Sequence, residues 1–458
     1  MGVIVGTLSA RGRGIGRLLS RLWESFSHIP LLGWLFAALI AVVLEQIVGT
    51  PLAQGLGMSK APSLFGLVIV LKDPVFIPSA LVYVLLIYIL PIAVVTRLTA
   101  KLANSLAARL LSSSMWPSVI VHLVLLYAVL HVWCLGLQLD VYENSYRVLV
   151  ARLTMIAIMV TLSLNVVNGY MGEFSCSHPG FMALGAYAAS VFTVILFVNE
   201  SHFGDALLPA ALGQFLFPIG LVLGGVVAAV GALAVAIPSF RTRGDYLAII
   251  SLAFMFIVKS LLENLEVVGG PRGLGNQPNW ATLPVVFAWT VACVWIINNF
   301  VRSTMGKALN AVRDGEMAAD AMTVDTRRTK MVAFLFAAFW AGVAGGLLAH
   351  VLRYVNPGIF GIQKLAEVLA MVYLGGLNSV VGSIFGAVSF NLLSEALRPL
   401  EIYKWIIIPL LLILLMIFRP TGLIAFREFD VKELLKPKRT LAGSTSTSAG
   451  RRVEPQPE

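Results

Sequence analysis

The stretch MGKALNAVRDGEMAADAMTVDTRRTK, residues 305–330, is polar and helix-prone between two apolar runs. TLPVVFAWTVACVWIINNF (282–300) precedes it and MVAFLFAAFWAGVAGGLLAH (331–350) follows directly. Each run has about the 20 residues that a helix needs to cross the hydrocarbon core of a bilayer. The segment between them therefore lies outside the membrane. Its length poses the functional question, since two spans can be joined by far less.

The pattern of long apolar runs with turn-rich gaps holds along the whole chain. Of 458 residues, 58% are hydrophobic and 12% charged, whereas a soluble chain carries roughly a quarter charged residues. A β-barrel is excluded, because its strands alternate apolar and polar residues over about ten positions. The fold class is an all-α polytopic membrane protein. The net charge of +10 gathers in short segments beside the spans, as expected of cytoplasmic loops, and is not a nucleic-acid signature. Cys134, Cys176 and Cys293 lie in or beside apolar segments, at spacings that fit neither a zinc site nor a disulfide framework.

Residues 1–28 form a basic lead. A helix from Arg17 to Phe26 places Leu18, Leu19, Leu22, Trp23 and Phe26 on one face and Arg17, Ser20, Arg21 and Glu24 on the other, a pattern suited to the membrane interface. The first apolar run, from Leu31, lacks a small-residue cleavage pattern and reads as an uncleaved span. Apolar segments then recur at 62–72, 75–96, 115–137, 147–169, 179–199, 207–237, 246–264 and 282–300. After the insert come 331–352, 365–397 and 404–418, and the expected number of transmembrane helices is ten to twelve. Basic residues assign the lead, the stretch with Arg97, Lys101 and Arg109, RTRG at 241–244, the 302–330 insert and the tail to the cytoplasm. An even number of crossings must then separate insert and tail, which favours two short helices in 365–397, broken at Gly375–Gly376. Residues 425–458 form a basic tail whose end is expected to be disordered.

On a helical wheel over 307–322, Ala308, Ala311, Val312, Gly315, Ala318, Ala319 and Met322 form one stripe, with Arg313, Asp314, Glu316 and Asp320 elsewhere. Small residues bury little area against lipid but admit a close partner, so the stripe suits docking into a groove. The plain alternative is a cytoplasmic linker. The chain lacks a GxxxxGK[ST] phosphate loop, because Gly306-Lys307 has neither the preceding glycine nor the following hydroxyl. ATP-driven transport would need another polypeptide.

Seven motifs occur in order: NVVNGYMGEFSCSHPGFMALGAY (165–187), RTRGDYLAIISLAF (241–254), VVGGPRGLG (267–275), GKALNAVRDGEMAADAM (306–322), AGVAGGLLA (341–349), MVYLGGLNSVVGSIFGA (371–387) and FRPTGL (418–423). Together they closely resemble the LivM-type permease subunit of branched-chain amino acid ABC importers. The resemblance covers 147–424 as a permease core and leaves 29–146 as accessory transmembrane segments. It implies a heteromeric importer of the bacterial inner membrane with both termini cytoplasmic. A second related permease, two ATPase subunits carrying ATP and Mg²⁺, and an external binding protein for leucine, isoleucine or valine complete it. This chain itself holds no cofactor and is not an enzyme. The resemblance makes the insert the ATPase-coupling segment, with Gly306 and Arg313 beside the stripe residues and Glu316-x-Ala318-Ala319 matching its Glu-x-Ala-Ala pattern. Four positions depart from the family: Thr323 and Asn378 replace customary glycines, Phe256 a frequent glutamate, and Ser175-Cys176-Ser177-His178 stands for Ser-Leu-Gly-His.

Asn165, Asn168, Ser175, Ser177 and His178 interrupt apolar sequence. Irregular backbone at membrane depth must be buried or line a cavity, so these residues are candidates for the translocation path, against an ordinary surface loop. Arg241, Arg243 and Asp245 are gating candidates against a positive-inside anchor, and Gly269 and Gly270 mouth-shaping candidates against a tight turn. Lys259 and Glu263, four apart, are expected to pair. Glu45, Glu367 and Glu395 lie in or near spans, while His122, His131 and His350 read as packing residues. Rival readings are a urea or short-chain amide ABC permease and a proton-coupled secondary transporter.

Overall fold

In hydrocarbon a peptide group has no water to bond, so each apolar run satisfies its own backbone as a helix. The computed structural model describes residues 29–58, 74–113, 115–136, 146–198, 204–209, 212–240, 246–418, 422–424, 430–431 and 435–436. The lead helix expected at 17–26, the apolar segment 62–72, and Arg241, Arg243 and Asp245 lie outside these. Among the described residues nine helices are long and apolar enough to cross a membrane, fewer than the ten to twelve read from sequence. Three of the apolar segments are not among the nine: 62–72 lies outside the described residues, 404–418 forms a helix of 15 residues, and 365–397 divides into helices of 14 and 17 residues. The first of that pair spans only about 21 Å at 1.5 Å per residue, short of the ~30 Å core.

The chain forms two compact units, one of Met1–Gly66, Val75–Leu139 and Asp430–Glu458, the other of Leu67–Pro74 and Asp140–Phe429. In the first, α1 (Leu31–Gly55) packs against α2 (Ile77–Ser112) and α3 (Met115–Leu135). A π-helical turn at Leu85–Ile89, followed by Pro91, interrupts α2. Tyr83 is wholly buried against Gly49, where an added Cβ would meet its hydroxyl at 2.7 Å. Glu45 is buried on α1, and Gln46 Nε2 donates to Val132 O of α3 at 3.3 Å.

The second unit runs α4 (Tyr146–Asn165), α5 (His178–Phe197), α6 (Gly213–Ser239), α7 (Tyr246–Asn264), α8 (Leu283–Arg302), α9 (Thr304–Asp314), α10 (Glu316–Ala321), α11 (Thr326–Leu352), α12 (Ile362–Gly375), α13 (Val380–Ala396) and α14 (Lys404–Phe418). Its centre is α4, ringed by α8, α11, α12 and α13. A second knot joins α5, α6 and α11 at glycines. A Cβ on Gly185 would fall 2.2 Å from Gly342 O, and one on Gly342 would fall 2.5 Å from Ala228 Cβ and 2.8 Å from Gly224 O. Small residues let these backbones approach closely, the usual device of membrane helix packing. His350 seals the knot: its Nδ1 donates to Gly346 O at 2.8 Å, and Nε2 accepts the Thr193 hydroxyl at 2.9 Å. Gly346 O can only accept, which sets this tautomer. The packing role expected for His350 is what the structure shows.

Contacts define two ends of this unit. At one, Arg313 and Lys330 meet residues 169–173, and residues 422–424 meet 374–376. At the other, Tyr146 bonds Glu395, whose carboxylate also takes Arg398 Nη1 at 3.0 Å.

Candidate functional site

The insert is two helices, and the stripe read from the wheel is divided. Ser303 caps α9 by accepting Gly306 N–H at 3.5 Å. Gly315 is extended, at φ −179° and ψ 96°, so α10 starts in a new direction and no single face runs through 307–322. Gly306, Val312 and Ala319 are turned inward and buried, so Val312 and Ala319 do not lie on the outward face that the wheel gave them. Ala308 and Gly315 are half-buried. Ala311, Ala318 and Met322 are exposed, Met322 by 77% and its neighbour Met317 by 80%. What faces outward is thus Ala311 on α9 and Met317, Ala318 and Met322 in and just after α10, with Glu316 also exposed. Thr323 turns the chain into α11 at φ 66°, and Asp325 caps α11 by accepting Arg328 N–H at 2.9 Å.

The insert is fastened to the end of α4. That helix loosens into a π-helical turn at Val166–Met171 and stops at Gly172, φ 78°. The stem of Arg313 lies over Gly172, where a Cβ would come 2.4 Å from its Cγ. Arg313 Nη1 donates to Gly169 O at 3.4 Å, while its Nη2 pairs with Asp314 at 2.8 Å. Lys330, one turn into α11, sits between Glu173 at 2.7 Å and Glu316 at 2.9 Å, with 9% of its side chain exposed. Sequence reasoning missed Lys330 and Glu173. The only signal was a lysine placed where an apolar helix begins.

The polar residues between α4 and α5 are buried within protein. Asn168 Oδ1 accepts Ser175 N–H at 3.2 Å, and the Ser175 and Ser177 hydroxyls are 2.9 Å apart. Cys176 N–H donates to Ser251 Oγ of α7 at 2.9 Å. His178 starts α5 wholly buried, edge-on to Phe181 with centroids 5.9 Å apart. Asn165 bonds the break between α12 and α13 through Ser379 and Ser383. These residues form a closed seam joining α4, α5, α7 and the break.

At the break, α12 ends on Gly375, Gly376 takes φ 116° and Asn378 φ 55°. Ser379 Oγ then caps α13 by accepting Gly382 N–H at 3.0 Å. The end of FRPTGL returns here. Leu423 and Ile424 N–H groups bond Leu374 and Gly375 carbonyls at 3.1 and 2.9 Å, satisfying acceptors that a helix end leaves open.

At the opposite end, Gly269 and Gly270 turn at φ 89° and 51°. They bring Leu274 against Val355, which exchange backbone bonds of 2.8 and 2.9 Å. The Tyr354 hydroxyl donates to Arg272 O, and Asn356 Nδ2 to Pro271 O at 3.2 Å. Lys259 pairs with Glu263 at 3.7 Å, as expected, and Lys364 with Glu367 at 2.9 Å.

A helical bundle with nine helices long and apolar enough to cross a membrane among the described residues, and a polar insert fastened to a broken helix, is the architecture of a multi-pass membrane protein. Residues 146–418 match the family of the branched-chain amino acid transport system / permease component, and the chain belongs to that family. It is 33% identical over 318 residues to the high-affinity branched-chain amino acid transport system permease protein LivM of Escherichia coli K12, a match spanning 62% of this chain and 71% of that one. The LivM of Salmonella typhimurium LT2 matches to the same extent. The autoinducer 2 import system permease protein LsrC of Klebsiella pneumoniae is 25% identical over 206 residues, 43% of this chain and 55% of the relative. No solved structure matches significantly. The protein is a transport permease and not an enzyme.

Proposed function

We propose that this chain is the membrane-spanning subunit of an ATP-driven importer that carries leucine, isoleucine and valine across the bacterial inner membrane by alternating access. The observation that carries the reading is the insert: two helices tied to the membrane bundle that present Ala311, Met317, Ala318 and Met322 outward. In this reading that patch seats in a groove of a separate ATPase, and Mg²⁺-ATP is bound there. A second permease completes the core, and an external binding protein delivers the solute over the Gly269–Leu274 turn and the Val355 loop.

The insert end faces the cytoplasm. Arg241 and Arg243 follow directly on α6, whose Phe240 meets Phe334 of α11 at that end with centroids 5.7 Å apart. Lys432, Lys436, Lys438 and Arg439 follow Ile424 in sequence, an excess expected inside. The seam of Asn165, Asn168, Ser175, Ser177 and His178 is the candidate path, closed in this state and opened as the helices rearrange. Gly375 and Gly376 let α12 and α13 pivot, and Arg241, Arg243 and Asp245 gate the inner end. Branched-chain solutes are favoured by the name of the family and of the LivM relatives. A proton relay finds little support: Glu263, Glu367 and Glu395 lie on three different helices and each has a cationic neighbour.

The test is purification of the tagged chain in mild detergent from its own membranes, then uptake by the reconstituted complex. A second permease and Walker-motif ATPases should co-elute, and uptake of labelled leucine should require ATP. Urea or amide uptake in its place would overturn the substrate. Elution alone, with uptake driven by a proton gradient, would overturn the coupling.

A further inference from the structure

Movement of the insert must reach the bundle through some contact, and one contact is built for it. Lys330 Nζ is shared by two carboxylates from different segments: Glu316, the first residue of α10, and Glu173, just past the broken end of α4. The helix α10 has only six residues and stands between the extended Gly315 and the left-handed Thr323, so its two ends are points of bending. Beyond Glu173 the chain passes at once into the seam, where Ser175 N–H bonds Asn168 and Cys176 N–H bonds Ser251 of α7.

We propose that Lys330 is a positioning residue that passes displacement of the insert to the end of α4, acting as a two-carboxylate clamp between Glu316 and Glu173. The proposal rests on the permease reading above. A buried ammonium cannot be left without a counter-charge except at high cost, so when α10 carries Glu316 away, the cation and Glu173 move together or the clamp opens. Either outcome changes the backbone at 173–176, and with it the bonds to Asn168 and Ser251. Arg313 over Gly172 is a second strap beside the first. The physical warrant for coupling is an element with two arrangements that both sites bias, and in this proposal the closed clamp seen here and its opened form are the two.

The test uses the full chain with its co-purifying subunits in nanodiscs. Spin labels go on Ala321→Cys and Phe174→Cys, both exposed positions outside the proposed docking residues, because the native cysteines are buried. The unaltered clamp should give one narrow 174–321 distance, and Lys330→Met a broad one. In the same preparations Lys330→Met should hydrolyse at least tenfold more ATP per solute imported, and Lys330→Arg should restore both readouts. A narrow distance in Lys330→Met overturns the proposal. So does an equal fall of hydrolysis and uptake that leaves their ratio unchanged. Should Lys330→Met fail to assemble, Glu173→Gln, which leaves Lys330 paired with Glu316, is read by the same two criteria. A clamp that broadens in a complex whose unaltered form shows no ATP-driven uptake leaves the clamp standing and removes the permease reading alone.

Discussion

The Asn378 backbone N–H donates to Asn165 Oδ1 across 3.1 Å. The same side chain donates through Nδ2 to Ser379 O at 3.0 Å and to Ser383 Oγ at 2.6 Å. One buried amide thus joins the end of α4 to the break that follows α12, at Asn378 and Ser379, and to Ser383 at the start of α13. A break at this depth survives because its freed peptide groups find protein partners in place of water.

Asn165→Leu removes all three bonds and leaves the part-buried Asn378 N–H without its acceptor, while Ser379 O and Ser383 Oγ keep their bond to each other. One stranded group costs about 1–3 kcal/mol, and the variant should lose an amount in that range. Thermal unfolding in detergent, followed by size exclusion, reads the loss. A melting curve equal to that of the unaltered chain would show that the break holds without this residue.

Thr323 and Asn378 both occupy left-handed backbone, at φ 66° and 55°. A β-branched residue is strained there by about 1–2 kcal/mol, whereas asparagine tolerates the region. Glycine gives back part of that gain through its greater unfolded-state entropy. Thr323→Gly should therefore stabilise the protein by about 1 kcal/mol, and Asn378→Gly should change it by less than about half as much. Equal shifts in the two variants would contradict the strain argument.

Adjacent alanines on the insert should behave in opposite ways. Ala318 is exposed and Ala319 is 5% exposed. Ala318→Trp should leave yield and melting unchanged while abolishing co-purification of the ATPase. Ala319→Trp should instead cost stability, since overpacking a filled site costs about 1–3 kcal/mol. The wheel alone put both on the docking face. Yield, melting point and co-purification measured side by side separate the two cases.

Gly342→Ala drives a methyl group to 2.5 Å from Ala228 Cβ and 2.8 Å from Gly224 O. Backbone on the facing helix cannot yield as a flexible side chain does. The variant should be less stable by about 2 kcal/mol, within the range for overpacked cores. Gly55→Ala, with open space around it, should be close to neutral. The yield of folded protein from membranes compares them.

Much of this architecture was legible because it depends on short-range information. Run length and the need to satisfy every peptide group in hydrocarbon determine a helix wherever the chain is apolar for long enough, as from Leu283 to Arg302 or Thr326 to Leu352. Crossing parity and the Gly-Gly pair located the break that the structure has at Gly375–Gly376. The wheel over 307–322 failed for a local reason as well: it assumed one helix, and Gly315 makes two.

By itself the sequence determined that this is a multi-pass helical membrane protein with a polar insert between two spans, because hydropathy and helical periodicity act over a few neighbouring residues. Only the tertiary structure decided that Val312 and Ala319 turn inward, that Asn165 holds a break more than 200 positions away, and that Lys330 stands between Glu173 and Glu316. Those facts depend on which segments meet in space. Glu173 and Lys330 are 157 residues apart, and no periodicity within either segment records the other.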